Sequence, residues 1–162
     1  MAVDQFIKFE GPAIKGESLD KTHKEEIDVL TWSWGVTNDG NTHMGGGGGA
    51  GKVSVGNLNF SKPVDKSTTD LILSACDGTH HETVTLVVRK AGTNPIEYLK
   101  ITMNEVLISS YNTSGQKTSD QLTENLSLNF AKVKVEYTPQ KTDGKAEATK
   151  TTVWDIAANV KG

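Results

Sequence analysis

The chain has 162 residues and a formal net charge of −3, enough polypeptide for one domain with a substantial core. Its pI near 5.8 and scattered lysines exclude the basic footprint of a nucleic-acid or anionic-membrane binder, and no apolar stretch approaches the ~18 residues of a membrane span. The single cysteine, Cys76, excludes an intramolecular disulfide framework. The opening Met1 to Phe6 lacks the basic head and apolar run of a secretory signal, which predicts a soluble protein made in the cytoplasm.

Period-two alternation dominates the chain and predicts a mainly β fold. The first strand is Phe6–Phe9. From Glu26 to Val36 the apolar positions are Ile27 and Val29, then Leu30, Trp32, Trp34 and Val36, so the phase switches between Val29 and Leu30. A switch of one residue sends side chains to the other face and predicts a bulge or bend. It recurs around Gly56-Asn57, where Val53 and Val55 give way to Leu58 and Phe60. It recurs again at Ala131, where Leu122, Leu126, Leu128 and Phe130 give way to Val133, Val135 and Tyr137. Bent strands in one small domain predict a sheet curling toward a barrel or a two-sheet sandwich.

Further strands are expected at Thr83–Arg89, Tyr98–Ser110 and near Val153–Val160, with a turn at Gly92–Pro95 and a polar loop from Ser110 to Asp120. Thr138–Thr149 reads as an exposed connection. One short helix follows Ser67-Thr68-Thr69-Asp70, a capping-box-like start, and stops at Gly78. Leu71, Ile72, Ala75 and Cys76 fall on its expected inner face, so Cys76 reads as a small buried hydrophobe.

Little in the chain suggests catalysis. Gly46, Gly51 and Lys52 fit G-x-x-x-x-G-K, but Val53 stands where a P-loop needs Ser or Thr, and strand alternation follows where it needs a helix. His23, His43, His80 and His81 form no metal-binding pair, and His80 and His81 point to opposite faces of a strand. No G-x-S-x-G elbow is present. No cofactor, metal or catalytic residue is expected. Trp32 and Trp34 are expected in the core, which turns Thr31, Ser33 and Gly35 to the opposite, polar face.

The order of several short pieces is specific. Gly16-Glu17-Ser18 with Asp20 and His23 precedes Glu26-Ile27-Asp28-Val29-Leu30 and Trp32-Ser33-Trp34-Gly35. Then come Gly45–Lys52, Arg89-Lys90-Ala91-Gly92, Glu97-Tyr98-Leu99, Glu105-Val106-Leu107, Leu122-Thr123-Glu124-Asn125, Leu128-Asn129-Phe130-Ala131 and Trp154. Together they resemble the haemolysin co-regulated protein (Hcp) family, the inner-tube subunit of bacterial type VI secretion systems. The resemblance spans residues 1–162 as a single domain. It implies a β-barrel-like fold of two curled sheets with one short flanking helix, assembled head to tail as a homohexameric ring.

Such rings stack into a tube that meets a valine-glycine repeat spike at its tip and a contractile sheath outside, carries small effector proteins in its lumen, and is exported without a signal peptide. On this footing Ser33 and, more weakly, Thr31 are expected to face lumen and cargo. The loops holding Gly45, Gly46, Gly47, Gly48, Gly49 and Gly51, and Gly92, are expected at ring-stacking or sheath-facing surfaces. Neither nucleic acid nor membrane insertion is implied. Two other classes fit the composition: a monomeric secreted β-sandwich that binds sugar through Trp32 or Trp34, or binds protein, and a small nucleotide-binding enzyme using Gly46 to Lys52.

Overall fold

In the computed structural model, which describes residues 2–40 and 50–162, the alternation resolves into twelve strands and one helix among the described residues. In chain order they are β1 (Val3–Glu10), β2 (Ile27–Asp28), β3 (Thr31–Ser33), β4 (Val36–Gly40), β5 (Ala50–Val55), β6 (Leu58–Pro63), α1 (Thr68–Asp77), β7 (His80–Lys90), β8 (Glu97–Ser114), β9 (Thr123–Asn129), β10 (Lys132–Tyr137), β11 (Lys150–Asp155) and β12 (Val160–Lys161). No described helix is long and apolar enough to cross a membrane.

Strand β8, 18 residues long, is the spine. Its first half pairs with β7 on one edge and β10 on the other, and its second half pairs with β9. Glu105, at φ +52°, sits where the two halves meet. That left-handed conformation is uncommon for a residue with a side chain and marks a local bend. The large sheet runs β12-β11-β10-β8-β7-β1-β2, with β9, β6 and β3 branching from β8, while β4 and β5 form a separate ribbon.

All three phase switches coincide with a change of partner. After Val29 the chain leaves β1 and joins β6: Val29 N–H donates to Gln5 O at 3.0 Å and Leu30 N–H to Ser61 O at 2.8 Å. After Gly56 it passes from the β4–β5 ribbon to the β3–β6–β9 ladder. At Phe130–Ala131 a single path along β8 breaks into β9 and β10. The barrel-like closure expected from the sequence is therefore incomplete as a ladder, because residues 29–30 span the seam with one bond to each side.

Between the two curved halves, Ile7, Phe9, Leu58, Phe60, Val84, Leu86, Ile101, Met103, Leu126 and Leu128 are buried in one cluster. Each contributes roughly 1.5–3 kcal/mol of apolar burial.

Several expectations are corrected. The β8 strand runs on to Ser114, so the polar loop starts later than Ser110. The last strand divides into the β11–β12 hairpin. The helix turns Leu71 and Ser74 inward and leaves Ile72, Leu73 and Cys76 exposed. Cys76 is therefore a surface thiol, because the inward face follows Leu71 and Ser74 at i and i+3. Asp65, not Ser67, organises the helix start: its carboxylate accepts Ser67 N–H at 2.9 Å, and its own N–H donates to Thr68 Oγ1 at 3.1 Å. Gly78 stops the helix at φ +69° as expected, with its N–H donating to Ser74 O.

Trp32 and Trp34 are half-buried at the rim of the core, and their flanking Leu30 and Val36 are exposed. Trp32 Nε1 donates to Gln5 Oε1 at 2.9 Å and Trp34 Nε1 to Gly56 O at 3.0 Å, so both polar tips are engaged internally. Trp34→Ala is accordingly expected to cost about 1.5–3 kcal/mol, less than the roughly 3–5 kcal/mol of a fully enclosed tryptophan. Urea unfolding of the single variant checks this.

Candidate functional site

Strands β3, β6, β9 and β8 present one uninterrupted outward face. Their register aligns Thr31 with Ser61, Asn125 and Asn112, and Ser33 with Asn59, Ser127 and Ser110. Every member of these two rows is a small neutral polar residue. Alternation requires this partition, since Trp32, Phe60, Leu126 and Tyr111 occupy the intervening inward positions. The side chains are tied to one another. Thr31 Oγ1 lies 2.6 Å from Ser61 Oγ, Ser127 Oγ donates to Asn59 Oδ1, and Asn129 Nδ2 donates to Asn57 Oδ1 at 3.0 Å. A shallow depression of about 360 Å3 runs along this wall.

The other outward face differs in kind. Across β1, β7, β8 and β10 the register aligns Glu10, Thr83, Asn104 and Lys132 in one row and Lys8, Thr85, Thr102 and Lys134 in the next. Lys8 pairs with Glu10 at 3.1 Å and Lys134 with Glu136 at 3.4 Å. The protein therefore has one ion-decorated sheet face and one uncharged sheet face.

Directly behind the uncharged wall lies a buried ionic network. Lys62, between Ser61 and Pro63, and Glu124, beside Asn125, are both fully enclosed and paired. Lys62 Nζ also donates to Pro63 O at 2.8 Å and Asp65 Oδ1 at 3.0 Å, so all three of its protons are placed. Glu124 additionally accepts Thr68 Oγ1 at 2.8 Å and the Tyr111 hydroxyl. Burial first, then the Glu124 carboxylate, pushes the Tyr111 phenol up to about 12. The network pins β6, β8, β9 and the start of α1 to each other, and so fixes the wall from behind.

A second clamp holds residues 15–26 against the outer sheet. The buried Arg89 guanidinium donates to Asp4 Oδ2 at 2.9 Å, to Thr22 Oγ1 at 3.0 Å and to both oxygens of Asp20. It also lies 5.2 Å from the centroid of Phe6. Its hydrogen bond holds the Asp20 carboxyl well below the usual carboxylate range, against the opposing effect of burial. His23 stacks on Phe6 at 4.5 Å, with Nδ1 2.7 Å from Glu26 and Nε2 2.6 Å from Glu97.

Thr31 and Ser33, picked from sequence, both stand on the uncharged wall. Its other members, Asn59, Ser61, Ser110, Asn112, Asn125 and Ser127, were missed. The alternation Leu58-Asn59-Phe60-Ser61 and Asn125-Leu126-Ser127-Leu128 carried that signal. Gly92 lies in the β7–β8 connection at φ +155° with open space around it, a conformation that L side chains rarely adopt. Gly51 falls in β5, and so does Lys52. A P-loop lysine must open a helix, so Lys52 does not stand at a P-loop position. Gly45 to Gly49 and His43 lie outside the described residues.

A family model described as "Type VI secretion system effector, Hcp" matches residues 6–137. The chain belongs to the Hcp family. It is 53% identical over 163 residues to Protein hcp1 of Pseudomonas aeruginosa, with 99% of each sequence covered. The crystal structure of Hcp1 from Salmonella typhimurium superposes with a TM-score of 0.81 at 36% identity, covering 99% of both chains. A structure titled as a type six secretion system protein reaches a TM-score of 0.92 at 29% identity, covering 99% of this chain and 100% of its own. Hcp membership places the chain in type VI secretion. It also removes the isolated sugar-binding sandwich as a reading, in keeping with the internal hydrogen bonds of both tryptophans.

Proposed function

We propose that this protein is the inner-tube subunit of a type VI apparatus, a structural component that closes into a hexameric ring with the uncharged β3–β6–β9–β8 face lining the lumen. The observation that carries this reading is the contrast between the two sheet faces. A passage through which proteins of varied charge must slide is best walled by groups that form only weak, exchangeable hydrogen bonds. Lysines and carboxylates at six-fold repetition would build a strong field of one sign or the other. Heterologous contacts close the ring, and stacking of rings extends it into a tube. The Gly45–Gly49 run, β5 with Gly51 at its start, and the connection holding Gly92 meet the next ring or the sheath. A trimeric spike caps the tube, small effectors travel inside it, and the subunit itself leaves the cell through the apparatus.

Ser33→Gln tests the lumen assignment. Symmetry repeats the longer side chain six times, so the variant is expected to keep the ring while co-purification of a lumen-borne effector falls. Thr31→Gln is expected to act in the same direction but more weakly. Effector retention equal to that of the parent would remove the wall from the cargo path. For the stacking assignment, deletion of Gly46 to Gly49 is expected to preserve single rings and shorten tubes in electron micrographs. Tubes of parental length would count against it.

A further inference from the structure

His23 is only 7% exposed, and its ring lies almost parallel to that of Phe6, at 13° and 4.5 Å. Both edges of the imidazole meet carboxylates. Nδ1 lies 2.7 Å from Glu26 Oε2, and Nε2 lies 2.6 Å from Glu97 Oε1. An ionised carboxylate can only accept, whereas a neutral imidazole offers one donor and one acceptor. Two such contacts are satisfied together only if the triad holds one extra proton. Glu97 is 42% exposed and keeps its charge in water, so that proton belongs on the ring.

The neighbouring charges do not meet this demand. On β1, Lys8 is paired with Glu10 at 3.1 Å. On β7, Arg89 is committed to Asp4 and Asp20, and Asp20 also accepts the His23 backbone N–H at 3.1 Å. On β8, Lys100 forms no salt bridge among the described residues. It lines, with His23, Glu26 and Glu97, a depression of about 210 Å3 that opens the ring to solvent.

The two bonds tie down different parts of the chain. Glu26 is three residues from His23, beyond the turn at Glu25 (φ +62°), and its N–H donates to His23 O at 3.2 Å. Glu97 is 74 positions away and opens β8, at the foot of the connection formed by residues 91–96. That connection borders an open cleft of about 740 Å3 shared with residues 140–146. Its foot is closed by Lys90 N–H donating to Ile96 O at 3.2 Å and by the Glu97 bond to His23.

We propose that His23 is a proton-operated latch: doubly protonated, it ties residues 15–26 to the foot of the 91–96 connection, and on losing the Nε2 proton it releases Glu97. The remaining proton stays on Nδ1, facing Glu26, whose side chain is 14% exposed. Nε2 then turns a lone pair on the Glu97 carboxylate, and two acceptors in contact repel. The latch holds at lower pH and opens as pH rises. Arg89 keeps residues 15–26 on the outer sheet in both states, so the opening is local. Its consequence for assembly, a looser contact at the Gly92 connection, rests on the stacking reading above.

Amide hydrogen exchange of the assembled protein, read by mass spectrometry from about pH 5 to about pH 9 and corrected for intrinsic rates, tests the latch. Protection of residues 91–97 in the parent is expected to fall about tenfold or more as pH rises, while β6 and β9 hold theirs. Glu97→Gln is the discriminating variant, and the partial exposure of Glu97 spares the core. A carboxamide donates to a neutral Nε2, so protection of 91–97 is expected to stay high at every pH. A merely structural contact would change the level of protection and leave its pH profile alone. Parent protection that ignores pH, or a Glu97→Gln profile that follows the parent's, would overturn the inference.

Tube length in electron micrographs separates the latch from the stacking reading. Parent tubes are expected to shorten over the same rise in pH, and Glu97→Gln tubes to keep their length. Parent exchange that responds to pH while tube length does not would uphold the latch and overturn the placing of the Gly92 connection at a ring contact.

Discussion

Glu124→Gln is expected to destabilise the subunit by about 3 kcal/mol, the low end for breaking a buried ion pair, because the fully buried Lys62 ammonium loses its enclosed counter-charge and keeps only Asp65 at 3.0 Å. Lys62→Met alone is expected to be similarly damaging, since the buried Glu124 carboxyl then loses its counter-charge and keeps only the Thr68 and Tyr111 hydroxyls. Lys62→Met combined with Glu124→Leu should recover most of the loss, because a buried ion pair is replaceable by apolar packing far more readily than it is halved. Chemical unfolding of the three variants and the parent checks the series. Equal stability of Glu124→Gln and parent would mean that the charges are not enclosed as described. The same network sets an alkaline limit. The neutral Tyr111 phenol is favoured in the fold, so its contribution is present below the ordinary value of 10.0 and is lost as pH rises through about 12.

Arg89→Leu is the second large effect. The substitution removes the donor shared by Asp4, Asp20 and Thr22 and releases residues 15–26 from the outer sheet. The expected cost is about 1.5–3 kcal/mol, the range for hydrogen bonds to a charged group. A pH signature separates this loss from simple truncation. Asp20 has its native carboxyl lowered by Arg89. In the parent its contribution is therefore present above the ordinary value of 3.8 and lost as pH falls toward its lowered native value. Stability of Arg89→Leu should consequently fall less steeply in acid than that of the parent. Parallel acid limbs for the two proteins would show that Asp20 is not held by Arg89.

Much of the fold is legible in the chain because the code involved is local. The switches at Val29–Leu30, Gly56–Asn57 and Ala131 each mark a place where a strand changes partner, and a one-residue phase shift has no other economical cause in a half-buried strand. Register is non-local, so the alignment of Ser33 with Asn59, Ser127 and Ser110 could not be read from any one segment. Each of those residues alone looks like an ordinary solvent-facing position. The end of β8 is obscured for the same reason: Ser110 to Ser114 resembles a loop in composition, yet it supplies part of the wall.

Lys62 and Glu124 were invisible for the opposite reason. Charged residues read as solvated unless their partner is known, and here the partners lie 62 positions apart. In sequence, Leu71, Ile72, Ala75 and Cys76 form one apolar stripe that points Cys76 to the core, whereas the fold turns Leu71 and Ser74 inward. The helix has a second apolar stripe, Ile72, Leu73 and Cys76, that is exposed among the described residues.

The most direct measurement of the central claim is the mass and shape of the purified protein. Sedimentation velocity with negative-stain imaging is expected to give particles of six 17.4 kDa chains arranged as rings with an open centre. A single 17.4 kDa species across a micromolar concentration series at neutral pH would contradict the account.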